Sequence, residues 1–305
     1  MAFSDRLTEL PNQGSGFALA LVMAAACLFG LNPIFAKLAF EGGLDPIGAL
    51  VWRFGLPCLL LAPFWLKPRP TVPQTPMRRP IVIALGAGVI MGLGMLAYFA
   101  ALETLTVGTA AVIYFTYPAF TILIGLIVFK ESPTRQALAA CALVIVASAL
   151  VIGAPTVGPD DLSAVALCFA APVAFAILLQ ALGRGLGAMT PLSRAGVLVL
   201  GHLIVLIPFL MLQTEIQALP TSTRGWVGAV GLAFAASLLP QLLMATGAPK
   251  IGATRTSLLG SFELITALVL GWVLLGESVS TWTLAGSALV VAALYLTVRG
   301  SPPER

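Results

Sequence analysis

Apolar residues run in ten stretches along the chain, at 17–40, 46–66, 80–102, 108–129, 136–153, 162–182, 191–212, 224–247, 253–275 and 281–298, with short polar breaks between them. A helix of about 20 apolar residues, rising about 1.5 Å per residue, crosses a hydrocarbon core about 30 Å thick. Each stretch is therefore predicted to be a membrane-spanning helix. Little of the 305-residue chain remains for a soluble domain, so the expected fold is an all-α membrane protein with ten transmembrane helices.

Composition agrees with that pattern. Hydrophobic residues make up 59% of the chain and charged residues 9%, where a soluble domain carries about 25% charge. Residues 1–16 are more polar, with Asp5, Arg6 and Glu9. The apolar stretch after them exceeds the core of about 7–15 residues found in a signal peptide, so it reads as a retained helix. The four cysteines (Cys27, Cys58, Cys141 and Cys168) all fall inside apolar stretches without metal-type spacing. They read as small buried hydrophobes rather than a disulfide framework.

The formal net charge of +4 would suit an acidic partner, but its placement points elsewhere. With the N-terminus taken as cytoplasmic, Arg6, Lys67, Arg69, Arg78, Arg79, Lys130, Arg135, Arg184, Arg194, Lys250, Arg255, Arg299 and Arg305 all fall on the inner side. Only Arg224 falls clearly on the outer side. Such a bias orients membrane proteins, and it puts both termini in the cytoplasm. Membrane lipid is the expected surroundings, and no nucleic acid is expected as a partner.

The chain also repeats itself. Residues 128–149 read VFKESPTRQALAACALVIVASA and residues 274–295 read LLGESVSTWTLAGSALVVAALY. Glu131-Ser132 returns as Glu277-Ser278, 146 residues later, and Asp45-Pro46 returns as Thr190-Pro191, 145 residues later. Near-equal offsets at both ends indicate an internal duplication. Each copy holds five spans, an odd number, so the second enters the membrane from the opposite side. Two inverted five-helix repeats are the architecture of secondary transporters, in which the halves exchange conformations around a site near the midplane. The predicted divisions are a cytoplasmic segment at 1–16, a first repeat at 17–153, an external linker at 154–161, a second repeat at 162–298 and a cytoplasmic tail at 299–305. The loop KPRPTVPQTPMRR at 67–79 reads as an extended, basic cytoplasmic connection beside lipid headgroups.

Ionisable groups near the centre of a span are expensive and mark sites or tight structural pairings. Glu263 lies at the centre of the ninth stretch, on one helical face with Thr256 and Thr266. It can bind an ammonium, carry a coupling proton, or act as a structural carboxyl. His202 is central in the seventh stretch and can bind substrate, gate, or bond a neighbouring helix. Lys37 and Arg53 lie nearer the outer ends and are expected to snorkel outward, with a carboxylate-favouring entrance as the alternative. Tyr114, Tyr117, Pro118 and Thr121 share a face at helical spacing, and Pro118 disturbs the bond to the carbonyl of Tyr114. That combination suits a cradle for a small amphipathic solute, with Tyr98 and Gln241 added. Further prolines fall at 33, 57, 172, 208 and 240, where freed carbonyls must be buried or face a wet cavity. Asn32-Pro33 adds an amide side chain beside such a break. Gly88 and Gly92 are assigned to close helix packing.

Taken together, the ten spans, the duplicated halves, the Glu-Ser turn after each fourth helix, CLFGLNPIFAK at 27–37, Arg53 and YPAF at 117–120 resemble the EamA-type branch of the drug/metabolite transporter (DMT) superfamily. Within it the chain looks most similar to YddG-like amino-acid exporters. The resemblance implies export of amino acids, aromatic ones among them, across a bacterial inner membrane by alternating access, without a cofactor. Two positions depart from the family pattern. Phe262-Glu263-Leu264 stands where relatives often have Glu-Pro, so the proline kink is missing there, and Phe29 replaces the usual tryptophan.

The expected binding residues are Asn32, Tyr98, Tyr114, Tyr117, His202, Gln241 and Glu263, meeting a small-molecule substrate. The alternatives are a carrier for another metabolite or drug, or a channel. With one histidine, no HExxH and no phosphate loop, no enzyme is expected. One chain holds both halves of a pseudo-symmetric carrier, so a monomer is expected.

Overall fold

In the computed structural model, seven helices among the described residues are long and apolar enough to cross a membrane: Gly16–Glu41, Pro46–Phe64, Arg78–Ala101, Val107–Phe129, Leu162–Arg184, Pro191–Leu212 and Thr223–Ile251. Three further apolar helices, Leu138–Leu150, Phe262–Leu275 and Thr281–Ala293, are shorter. The structure describes residues 14–64, 77–130, 134–152, 158–184, 186, 188–212, 216–276 and 280–300, and these contain helices and no strand. The Glu131-Ser132 and Glu277-Ser278 motifs, residues 1–13 and 301–305, most of the basic loop and part of the linker lie outside them.

Several spans are interrupted, and the interruptions follow the sequence. The first is α1 (Gly14–Phe29) followed by α2 (Asn32–Glu41), with Pro33 in the first turn of α2. The second is α3 (Pro46–Leu50), a π-turn (Val51–Gly55) and α4 (Leu56–Leu61). After α5 (Arg78–Ala101), the fourth span divides into α6 (Val107–Tyr114) and α7 (Tyr117–Phe129), with Pro118 opening α7. Next come α8 (Arg135–Ile152), the divided α9 (Leu162–Cys168) and α10 (Ala170–Arg184), and α11 (Pro191–Leu212). A second π-turn (Phe234–Leu238) joins α12 (Thr223–Ala233) to α13 (Leu239–Leu259), and α14 (Ser261–Leu275) and α15 (Thr281–Gly300) follow. Both π-turns have the same cause. Pro57 has no N–H for the carbonyl of Arg53, and Pro240 has none for that of Ala236, so the ladder widens in the turn before each proline.

The ninth stretch was expected to be unbroken because it lacks the family's proline. Instead it divides at Gly260, whose N–H donates to Thr256 O (3.1 Å) while its carbonyl accepts from Glu263 N at i+3 (2.9 Å). Glycine is about 1 kcal/mol poorer than alanine in a helix, and it makes the break without a proline. Glu263 therefore sits in the first turn of a half-helix rather than mid-helix.

The internal duplication is visible in local structure. The side chain of Asp45 caps α3 by accepting from Gly48 N (2.6 Å), and Thr190, 145 residues later, accepts from Ser193 N (3.1 Å). The break at Phe115–Thr116 is matched by the one at Gly260. Lys130 and Gly276, 146 residues apart, end α7 and α14 in the left-handed region, at φ 55° and 65°. Their N–H groups donate to Gly125 O and Gly271 O, again 146 apart.

Packing follows the same exchange. The first span (α1, α2) lies on α12 and α13, the sixth (α9, α10) lies on α5, and α8 lies on α15. Exchanging the halves turns the first pairing into the second and the third into itself. Small residues allow the approach: a Cβ on Gly201 of α11 would lie 2.5 Å from Leu85 O, and one on Gly92 of α5 would lie 3.0 Å from the Cα of His202. Gly247 packs against Ala18 and Val22, whereas the backbone of Glu263 packs against Gly30. Between them the chain therefore turns back along the first span. Large apolar side chains such as Leu59, Ile127, Ile145, Met211 and Trp272 face outward, a perimeter suited to lipid.

Candidate functional site: a polar cavity at the helix breaks

The interruptions converge on one cavity between the halves. The α1–α2 break contributes Gly30, Asn32 and Pro33, the first π-turn Arg53 and Phe54, and the α6 end Tyr114 and Phe115. The second π-turn contributes Ser237, followed by Gln241, and the start of α14 contributes Glu263. Unbroken helices supply Tyr98 from α5, Phe175 from α10 and His202 from α11. A helix break frees backbone groups and lets side chains leave the regular helical phase, and inside a membrane it is tolerated where protein or a cavity surrounds it.

Six of the seven sequence-predicted residues meet here: Asn32, Tyr98, Tyr114, His202, Gln241 and Glu263. Tyr117 does not line the cavity. It is buried behind the wall, its ring 4.9 Å from Phe175 and 5.7 Å from Tyr114. The aromatic wall itself pairs Tyr98 with Tyr114 (5.8 Å) and Tyr114 with Phe175 (5.6 Å), while His202 lies 4.7 Å from the ring of Phe54.

Arg53 overturns the expectation of an outward snorkel. Its side chain is 5% exposed, lines the cavity and donates from Nη1 to Asn32 Oδ1. Its Cζ lies 5.7 Å from the ring centroid of Phe54 and 5.8 Å from that of Phe99, within cation–π range. Position along the helix placed it near an end, but the π-turn decides which way it faces. The proline four residues later was the available signal. Lys37, the other expected snorkeller, is half-buried and does not line the cavity.

Buried polar atoms are normally hydrogen-bonded, and leaving one without a partner costs about 1–3 kcal/mol. Around this cavity Arg53 Nε, both ring nitrogens of His202 and Gln241 Nε2 are buried without a protein partner among the described residues. Arg53 and Glu263 also form no ion pair with each other within 4.0 Å. The lining thus offers donors and charges to a polar solute beside rings that suit an apolar group.

At one end of the bundle, the halves are clasped together. Asp45 Oδ2 accepts from Gln217 N (3.0 Å), and Asp45 N donates to Gln217 O (3.2 Å). The carbonyl of Gly42 accepts from both Thr221 N and Thr221 Oγ1, each at 2.9 Å. Trp52 Nε1 donates to Ala218 O (2.8 Å), and its ring meets Trp226 edge to face at 5.5 Å. Arg224 pairs with Glu41 at 3.1 Å in an exposed position.

Residues 16–153 and 162–299 each match the model of the EamA-like transporter family. A protein of Salmonella typhimurium described as a probable amino-acid metabolite efflux pump is 27% identical over 299 residues, covering 93% of this chain and 95% of that one. A solved crystal structure of a protein superposes with a TM-score of 0.65 at 16% identity, covering 94% of this chain and 98% of the other, a likeness of fold alone.

Proposed function

The chain belongs to the EamA-like transporter family, and from that premise we propose that it is a secondary transporter exporting small metabolites, amino acids with aromatic ones among them, by alternating access. The observation that carries this reading is the cavity between the two repeats, where buried polar atoms without protein partners stand beside aromatic rings. Asn32, Tyr98, Tyr114, His202, Gln241 and Glu263 meet the solute, and Tyr117 supports the ring of Tyr114 from behind. The amino-acid assignment draws on the description of the Salmonella relative, whose match covers nearly the whole chain.

The membrane arrangement is part of the proposal. Ten crossings form two inverted repeats, at 17–153 and 162–298, in a monomer in the bacterial inner membrane with both termini cytoplasmic. The turn-back along the first span and the exchange of packing partners support it, as does the clustering of basic residues on one side. The clasp at 41–52 and 216–226 then lies on the outer face. Releasing it opens the cavity outward, while the same rocking motion closes the inner end.

The test is counterflow in liposomes containing the purified chain. A carrier exchanges labelled for unlabelled amino acid with saturation, which a channel does not. His202→Ala is expected to weaken that exchange. Absence of saturable counterflow for every amino acid would sink the proposal, and so would reagents that label the two termini from opposite sides of the membrane.

A further inference from the structure

We propose that Arg53 and Glu263 are the two halves of an ion pair that the solute itself completes, so the cavity selects molecules carrying a carboxylate and an ammonium together. This rests on the transport reading above and narrows it to zwitterionic α-amino acids.

Among the described residues the lining contains one arginine, one carboxylic side chain, and no further Lys, Arg, Asp or Glu. The guanidinium of Arg53 and the backbone that carries Glu263 are each held in place. Arg53 is fixed by its bond to Asn32 Oδ1 and by the π-turn ahead of Pro57. Glu263 is fixed in the first turn of α14, where its backbone meets Gly30. They line the same space without closing on each other. Had they paired directly, the cavity would present no charge to a solute. Held apart, they leave two sites of opposite sign.

A guanidinium stays charged and presents a planar fork that matches a carboxylate with two parallel bonds. Arg53 gives one Nη1–H to Asn32, and its Nε is buried without a protein partner. The fork is therefore oriented but not consumed. A charge in a low-dielectric interior is costly unless an opposite charge meets it. A zwitterion brings a partner for each group at once. A carboxylic acid lacking the amine meets Arg53 alone, an amine lacking the carboxylate meets Glu263 alone, and a neutral solute meets neither. Tyr114 and Phe175 form an apolar wall for the side chain of the amino acid.

The experiment uses wild-type protein in liposomes loaded with phenylalanine. Counterflow of labelled phenylalanine is challenged with phenylalanine, phenylalaninamide, 3-phenylpropionate and phenethylamine. Phenylalanine is expected to compete about ten- to a hundredfold better than the three analogues, the range for a hydrogen bond to a charged group. Arg53→Gln is expected to lose that advantage over phenylalaninamide while keeping the advantage over 3-phenylpropionate, and Glu263→Gln the reverse. Arg53→Lys, which retains the charge, is expected to keep part of the discrimination.

Equal competition by all four compounds in the wild type would overturn the charge-pair proposal and leave the transporter intact, with no variant needed. Phenylalanine counterflow whose discrimination is unchanged in both Gln variants would do the same. Failure of the wild type to exchange any amino acid would overturn the transport reading and this inference with it.

Discussion

Trp52 is the place to test whether the clasp between the halves controls access. Its indole donates to Ala218 O at 2.8 Å, and its ring meets Trp226 at 5.5 Å and 78°. Both contacts cross between halves, so they favour the clasped state and are lost when the halves part. The hydrogen bond contributes about 0.5–1.5 kcal/mol and the edge-to-face pair a similar amount, about 0.5–1.5 kcal/mol. Trp52→Ala removes both, about 1–3 kcal/mol, which multiplies the unclasped population about 5- to 150-fold. Trp52→Phe retains a ring and removes only the bond, for about 2- to 12-fold. The reporter is Ser237→Cys, since Ser237 lines the cavity and is 2% exposed. None of the native cysteines lines the cavity, so they are replaced as background. Labelling by a membrane-impermeant thiol reagent, added from the clasp side, is expected to accelerate in the order wild type, Trp52→Phe, Trp52→Ala. An unchanged rate in a folded Trp52→Ala protein would refute the reasoning.

The other predictions are smaller in scope. Gly201→Ala places a methyl 2.5 Å from Leu85 O and is expected to destabilise by about 1–3 kcal/mol, lowering the thermal midpoint. Gly86→Ala, whose methyl meets nothing within 4 Å, is expected to be neutral or stabilising by up to about 1 kcal/mol in the same melt. Asn32→Ala removes the carbonyl that Arg53 Nη1 donates to and is expected to cost about 1.5–3 kcal/mol of stability, read from the thermal midpoint. Glu41→Ala breaks an ion pair whose side chains are 74% (Arg224) and 48% (Glu41) exposed. Its expected effect is within about 1 kcal/mol, and clasp-side labelling should barely change.

The polar residues of the site were legible because a polar side chain within a lipid-crossing stretch has few places to go but inward. His202, Gln241 and Glu263 followed from that rule, and Asn32 from its proline neighbour. Tyr117 was misplaced for a local reason. Across the break at Phe115–Thr116 its ring still meets Tyr114 at 5.7 Å, and both rings meet Phe175, but Tyr117 packs behind Tyr114 rather than on the cavity surface. Arg53 was misread because distance along an axis does not say which way a side chain points. Among the described residues, seven helices of spanning length and three shorter apolar ones lie one in each of the ten apolar stretches. The break at Gly260 shows the limit of reading kinks from proline alone, since a glycine under packing demand opens a helix as well.

The π-turn at Val51–Gly55 holds one residue more than an ordinary helical ladder requires. Each residue advances a helix by about 100° around its axis. Deleting one residue from this turn would leave Pro57 still without an N–H to give, and would swing the two flanking segments about 100° out of phase, facing either the guanidinium or the following apolar side chains the wrong way. Chain length is what this stretch must preserve along with the guanidinium of Arg53: conservative exchanges at Val51 should be absorbed, whereas any one-residue indel would dismantle the wall it builds.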